Sequence, residues 1–211
     1  MDSTPIIQEA VQVLREGGVI LYPTDTVWGI GCDATNEKAV ARVFEIKRRS
    51  EAKSLVLLAC DLDMVAKYIK QIPSIAIDLV EVNDAPMTII YPGAQYLAPN
   101  AVAADGSVGI RIPLAGEEEE DAAAPRKSAP KTLLTGGAFC RELVRRLRRP
   151  LVSTSANISG EPTPASFAEI SEEIKGAVDY VVPKAFGAGA TGRSSQIIKL
   201  GLGGEVEILR P

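Results

Sequence analysis

Residues 87–113 read MTIIYPGAQYLAPNAVAADGSVGIRIP, and this stretch decides the fold. Two apolar runs, 87–91 and 107–113, have strand character. Between them lie Pro92, Gly93, Pro99 and Gly106, which punctuate loops and break helices. Neighbouring strands of a doubly wound parallel sheet are joined through a crossover helix. No helix pattern separates these two, so a purely parallel sheet is excluded. The expectation is an α/β (α+β) fold: a single domain over 1–211 with a twisted mixed parallel/antiparallel sheet flanked by helices.

Upstream, Thr4-Pro5 opens a helix carrying Ile7, Ala10, Val11 and Leu14, and Gly17-Gly18 stops it. VILYP (19–23) reads as a strand, and a second helix runs from about Asn36. SLVLLA (54–59) is a short continuous apolar run, as in a strand buried on both faces. Asp61 caps a third helix and Pro73 opens a fourth.

Downstream, residues 117–121 are five consecutive acids, and 114–131 reads as a mobile loop. A helix follows with Phe139, Leu143 and Leu147 as its apolar stripe and Arg141, Arg145, Arg146 and Arg148 on its other faces; Pro150 ends it. LVSTSAN (151–157) is a strand running into a polar loop. A helix over 165–175 and strands near Tyr180, 196–200 and 206–209 complete the chain.

The composition is that of a globular protein, with 46% hydrophobic and 24% charged residues among 211. Net charge is −4, so any phosphate contact depends on a local basic patch. Three widely spaced cysteines with no CxxC pair suit a reducing compartment. The N-terminus lacks a secretory pattern and no apolar run approaches the ~20 residues of a membrane span, so a cytoplasmic location without a membrane is expected. Histidine is absent, which excludes a Ser-His-Asp triad, a Cys-His dyad and histidine-ligated zinc. Neither GxGxxG nor GxxxxGK[ST] occurs, so Rossmann and P-loop nucleotide binding are not indicated.

Four segments carry chemistry. YPTDTVWGIG (22–31) places two threonine hydroxyls and an aspartate at a strand end; the bland alternative is a polar turn. KRRSEAKSL (47–55) packs Lys47, Arg49 and Lys53 at a helix end. Those cations either bind phosphate or simply complement the helix dipole. STSANISG (153–160) offers hydroxyl and amide dipoles but no general base, which suits a binding loop better than a serine nucleophile. GRSSQIIKL (192–200) is a weaker version of the same pattern. The arginine helix has two readings, an RNA-binding face or a solvated surface helix.

Taken in order, these segments resemble the YrdC-like family of threonylcarbamoyl-AMP synthases, in its short single-domain form. GGVILYPTDTVWGIGCDA is similar to the family's N-terminal signature, and Lys47 and Arg49 stand in its Lys-x-Arg motif. Pro86-Met87-Thr88 resembles its Pro-x-Thr strand, and Arg111 its strand arginine. Ser155 and Asn157 match its Ser-x-Asn motif, and Ser195 stands in the closing strand. The chain departs from the family pattern after Arg111, where Leu114-Ala115-Gly116 replaces a histidine-proline pair. Trp28 also stands where Tyr or Phe is commoner.

The resemblance implies a nucleotidyltransferase that forms threonylcarbamoyl-adenylate and pyrophosphate from L-threonine, bicarbonate and ATP. The product would serve N6-threonylcarbamoyladenosine modification of tRNA through downstream transfer proteins. It implies catalytic roles for Lys47 and Arg49, ATP binding by Lys53, Arg111, Ser155, Asn157 and Ser195, and threonine binding by Thr24 and Thr26. Mg²⁺ would arrive with ATP, carried mainly by the phosphates, with no metal site of the protein's own. The alternative is a non-catalytic factor that binds RNA through the same basic groove. Aromatics at 5% leave little for base stacking and count against it.

Overall fold

A computed structural model describes residues 2–50, 55–114 and 133–211. Helix α1 (Ser3–Arg15) is capped by the Asp2 carboxylate, which accepts from Thr4 N at 2.9 Å. The cap lies two residues before the expected start, and Pro5 falls within the first turn, where its missing N–H has no intrahelical partner to lose. Ile7, Ala10, Val11 and Leu14 form its buried face. Gly17, with φ +85°, ends the helix in a conformation that penalises any Cβ.

Strand β1 (Ile20–Tyr22) then turns back as β2 (Gly29–Gly31), an antiparallel hairpin with Leu21 opposite Ile30. The sequence gives no strand pattern for β2, because two of its three residues are glycine. Tertiary packing requires them. A Cβ on Gly31 would sit 1.8 Å from the Val152 carbonyl oxygen of the neighbouring strand.

Helix α2 (Glu37–Ile46) is capped by Asn36, β3 (Val56–Leu58) is the apolar run, and α3 (Leu62–Tyr68) is capped by Asp61. Helix α4 (Ser74–Glu81) follows Pro73. Strands β4 (Met87–Tyr91) and β5 (Val108–Arg111) pair antiparallel, with Thr88 opposite Arg111. A single 3-10 turn at Pro99–Ala101 lies between them, as the loop punctuation requires.

Helix α5 (Gly136–Leu147) buries Phe139, Leu143 and Leu147. It ends at Arg148 in the left-handed conformation, φ +62°, two residues before Pro150. Strand β6 (Leu151–Ser155) follows. The helix expected over 165–175 is instead a 3-10 turn, Phe167–Glu169, and a separate α6 (Glu172–Ala177). Ser171 caps α6 by accepting from Ile174 N, and a capping residue starts a helix rather than continuing one. Strands β7 (Tyr180–Val181), β8 (Gln196–Leu200) and β9 (Val206–Arg210) finish the chain.

The nine strands form one sheet in the order β7-β1-β2-β6-β3-β5-β4-β8-β9. The pairs β1/β7, β3/β5 and β4/β8 are parallel and the other five antiparallel, so the sheet is mixed. Strand β6 sits near its middle between β2 and β3. That position brings the loop after β6 beside the β1–β2 turn. Among the described residues no helix is long and apolar enough to cross a membrane. The expected loop over 114–131 lies outside the described residues apart from Leu114.

Candidate active site

Lys47 caps the C-terminus of α2, and its side chain is among the largest that are fully buried. Its Nζ donates to the Ser155 carbonyl at 2.5 Å and to the Asn157 carbonyl at 2.6 Å. Its own carbonyl accepts from Ser159 N at 2.9 Å. The lysine therefore clamps the loop that follows β6 at three points. Burial pushes its pKa down to about 8, with the nearby Arg49 charge acting in the same direction. Arg49 itself is lowered by burial alone.

Within that loop Asn157 Nδ2 donates to the carbonyls of Ile158 and Glu161, at 3.0 and 2.8 Å. Asn157 Oδ1 and Ser159 Oγ are buried atoms without a hydrogen-bond partner among the described residues. Buried polar atoms are normally paired; Asn100 Oδ1 and Arg141 Nε are two further exceptions among the described residues. The backbone ties this loop to the first signature: Ala156 N donates to the Trp28 carbonyl at 3.0 Å, and Ser155 lies opposite Gly29.

Thr24 and Thr26 are buried in the β1–β2 turn, their hydroxyls 2.8 Å apart. Thr24 Oγ1 also donates to the Val27 carbonyl at 2.6 Å and accepts from Thr26 N and Val27 N. Thr24 is thus spent largely on shaping the turn, an ST-motif. Between them, Asp25 forms an ion pair with Arg111 at the end of β5. The carbonyls of Asp25 and Thr26 accept from Thr191 N and Gly192 N, at 2.9 and 2.8 Å.

Those last two bonds lead to Ser195. Its hydroxyl is 2.8 Å from Thr88 Oγ1, on the strand position opposite Arg111. Arg210, from β9, donates through Nε to the Ser195 carbonyl at 2.8 Å and through a terminal nitrogen to Ser195 Oγ at 3.4 Å. Burial lowers the Arg210 pKa, and the neighbouring Arg111 charge adds to that.

Of the sequence-derived residues, Lys47, Ser155, Asn157, Thr24, Thr26, Arg111 and Ser195 thus lie on one continuous run of contacts. Arg49 adjoins it two residues beyond Lys47. Lys53 lies outside the described residues. Asp25, Thr88 and Arg210 belong to the same run; the sequence places Asp25 and Thr88 in motifs without giving them a role, and it does not point to Arg210. Asp25 sat between two assigned threonines, which was a usable signal. Arg210 carried none, because only strand pairing brings β9 beside Ser195. Among the described residues no group of three or more Cys, Asp or Glu is arranged to hold a metal ion.

Two of the arginines on this helix, Arg145 and Arg146, pair with Glu142, and Arg149 just beyond it pairs with Asp33.

Comparison with known proteins gives concordant likenesses. The Sua5/YciO/YrdC family model, described as telomere recombination, matches residues 12–116 and 133–211. A threonylcarbamoyl-AMP synthase of Xanthomonas campestris is 34% identical over 182 residues, covering 86% of this chain and 87% of that protein. One from Pseudomonas aeruginosa is 30% identical over 181 residues, covering 85% of each. Among solved structures, P. abyssi Sua5 complexed with L-threonine superposes with a TM-score of 0.74 at 26% identity. This chain is covered to 92% and spans half, 50%, of that longer one. E. coli YciO gives a TM-score of 0.70 at 22% identity, covering 98% and 88%, a likeness of fold.

Proposed function

The chain belongs to the Sua5/YciO/YrdC family, and from that premise and the geometry of its site we propose that it is a threonylcarbamoyl-AMP synthase. The observation that carries this is the Lys47 clamp. It holds the lysine of the Lys-x-Arg motif directly against the Ser-x-Asn loop. Curated relatives with the same span of chain are named for this activity, and a related structure is described with L-threonine bound.

The reaction consumes L-threonine, bicarbonate and ATP. The threonine amine attacks bicarbonate carbon and water leaves, giving a carbamate. A carbamate oxygen then attacks the α-phosphorus. The bond from that phosphorus to the bridging oxygen breaks, and pyrophosphate departs with the electron pair. Such transfer relies on positioning and on charge held where the transition state needs it, with little proton chemistry from side chains. A site without histidine suits it.

Lys47 has three N–H donors, two of them committed to carbonyls, which leaves one for a phosphate oxygen. Arg49 adds charge two residues beyond Lys47, and Lys53 is assigned to ATP from the sequence alone. Ser155, Asn157 and Ser195 hold the nucleotide through hydroxyl and amide groups. Arg111 supplies directed N–H groups to the nucleotide or to the threonine carboxylate. Thr24 and Thr26 shape the pocket for threonine. Mg²⁺ enters as the ATP complex, coordinated by phosphates and water. The adenylate passes to downstream transfer proteins that modify tRNA.

The test is pyrophosphate release by purified protein with MgATP, omitting threonine or bicarbonate in turn. Release that needs both is expected. Release that ignores threonine, or none beside an active control enzyme, sinks the reading.

A further inference from the structure

Resting on the synthase reading above, we infer that Asp25 is a positioning residue that sets the orientation of Arg111 in the substrate site. The two side chains are buried, with 7% and 5% of their surfaces exposed, and they come from segments 86 residues apart. Asp25 is the one hydrogen-bond partner of the Arg111 guanidinium among the described residues. A buried guanidinium without a counter-charge is costly, and a planar fork bonded at one nitrogen has its remaining N–H groups fixed in direction. Asp25 thus decides where Arg111 can donate.

The rest of Asp25 is held just as closely. Its second carboxylate oxygen accepts from Leu114 N at 3.2 Å, so the chain leaving β5 is fastened to the same group. Its backbone carbonyl accepts from Thr191 N, on the segment leading to Ser195. The N-terminus of α5 closes the remaining side. A Cβ on Gly137 would lie 1.8 Å from the Leu114 carbonyl oxygen and 3.2 Å from Asp25 Cβ. There is no slack for the carboxylate to shift, so one added methylene must displace Arg111. With its charge matched by Asp25, Arg111 recognises its ligand by the direction of its N–H groups. The unpaired positive charge beside it comes from Arg210, for which the described residues provide no carboxylate partner.

The experiment compares Asp25→Glu and Arg111→Lys, singly and together, in the full chain. Each is read by melting temperature and by kcat and KM for ATP and for L-threonine in pyrophosphate release. Asp25→Glu keeps the charge and is expected to fold, whereas Asp25→Asn strands the guanidinium and risks unfolding. The expected result is a KM raised roughly tenfold in Asp25→Glu for the substrate that Arg111 holds, ATP or L-threonine, with kcat within about threefold, the pattern of lost uniform binding. Once Arg111→Lys has removed the fork, adding Asp25→Glu should raise that KM little further. A merely structural carboxylate would lower the melting temperature and leave both KM values unchanged, and that outcome overturns the inference. Fully additive KM effects overturn it as well. A wild-type protein that releases no pyrophosphate defeats the functional reading instead. Binding of a non-hydrolysable ATP analogue and of L-threonine by calorimetry then takes the place of KM, with the same two overturning results.

Discussion

Beside β6, a buried lysine is held by neutral carbonyls; at the end of β5, a buried arginine is held by a carboxylate. Lys47 keeps its net charge: it has no counter-ion among the described residues, and burial draws its pKa down to about 8. Arg111 is neutralised by Asp25 and contributes directed donors. For the nucleotidyl transfer proposed above, the difference would separate two tasks: one region would offer charge to an anion whose charge is shifting, and the other would fix a geometry.

The largest break in that contrast comes from Lys47→Ala. It removes the cation and both clamping bonds, and pyrophosphate release should fall ~10²–10³-fold, as when a preorganised donor is deleted. Threonine binding, measured by calorimetry, should weaken far less. Turnover within about threefold of wild type would show that Lys47 is not the charge donor.

The charge itself can be titrated. The folded pKa of Lys47 lies below its ordinary value of 10.5, so the protonated form is penalised in the folded state at low pH. Between about 8 and 10.5 the unfolded chain binds more protons, and this group's contribution to stability rises with pH across that window. Activity should move the opposite way, with an alkaline limb in kcat/KM near pH 8. Lys47→Arg, which stays charged, should carry that limb to higher pH wherever it retains turnover. A limb that stays near 8 in an active arginine variant would assign the titration to another group.

A smaller effect belongs to Ser195→Ala. Its hydroxyl bridges Thr88 and Arg210, and losing one such hydrogen bond costs about 1 kcal/mol. An ATP KM raised about fivefold with kcat nearly unchanged is expected. An unchanged KM would remove Ser195 from the nucleotide site.

The smallest effect sharpens the contrast with the arginine helix. Arg145→Gln with Arg146→Gln removes two exposed pairs to Glu142, each worth about 0.3–0.5 kcal/mol. Pyrophosphate release should stay within about twofold. RNA binding that is lost in this double variant and retained in Lys47→Ala would favour an RNA-binding role over the catalytic one.

Much of this was legible in the chain before folding. The helix over 37–46 follows from Asn36 and the spacing of Val40, Val43 and Phe44. The β4–β5 antiparallel pair follows from prolines and glycines that leave no helix between them. The break at Ser171 was missed because Phe167 and Ile174 lie at helical spacing, while a capping side chain acts on one N–H that periodicity does not register. Strand β2 was missed for a different reason. Its Gly31 answers to the Val152 carbonyl, a neighbour 121 positions away in the chain.

The same division applies to the site. Residue types alone determined that the chemistry would be cationic, because the chain has no histidine and groups Lys47 and Arg49 beside a strand. Hydroxyl and amide side chains announce themselves locally, because a binding loop needs them close together, as in STSAN. Only the tertiary structure decided which groups are spent on one another. Lys47 with the carbonyls of Ser155 and Asn157, Asp25 with Arg111, and Arg210 with Ser195 are meetings of distant segments in a low-dielectric interior. There, which partner a charge finds determines what remains for a ligand.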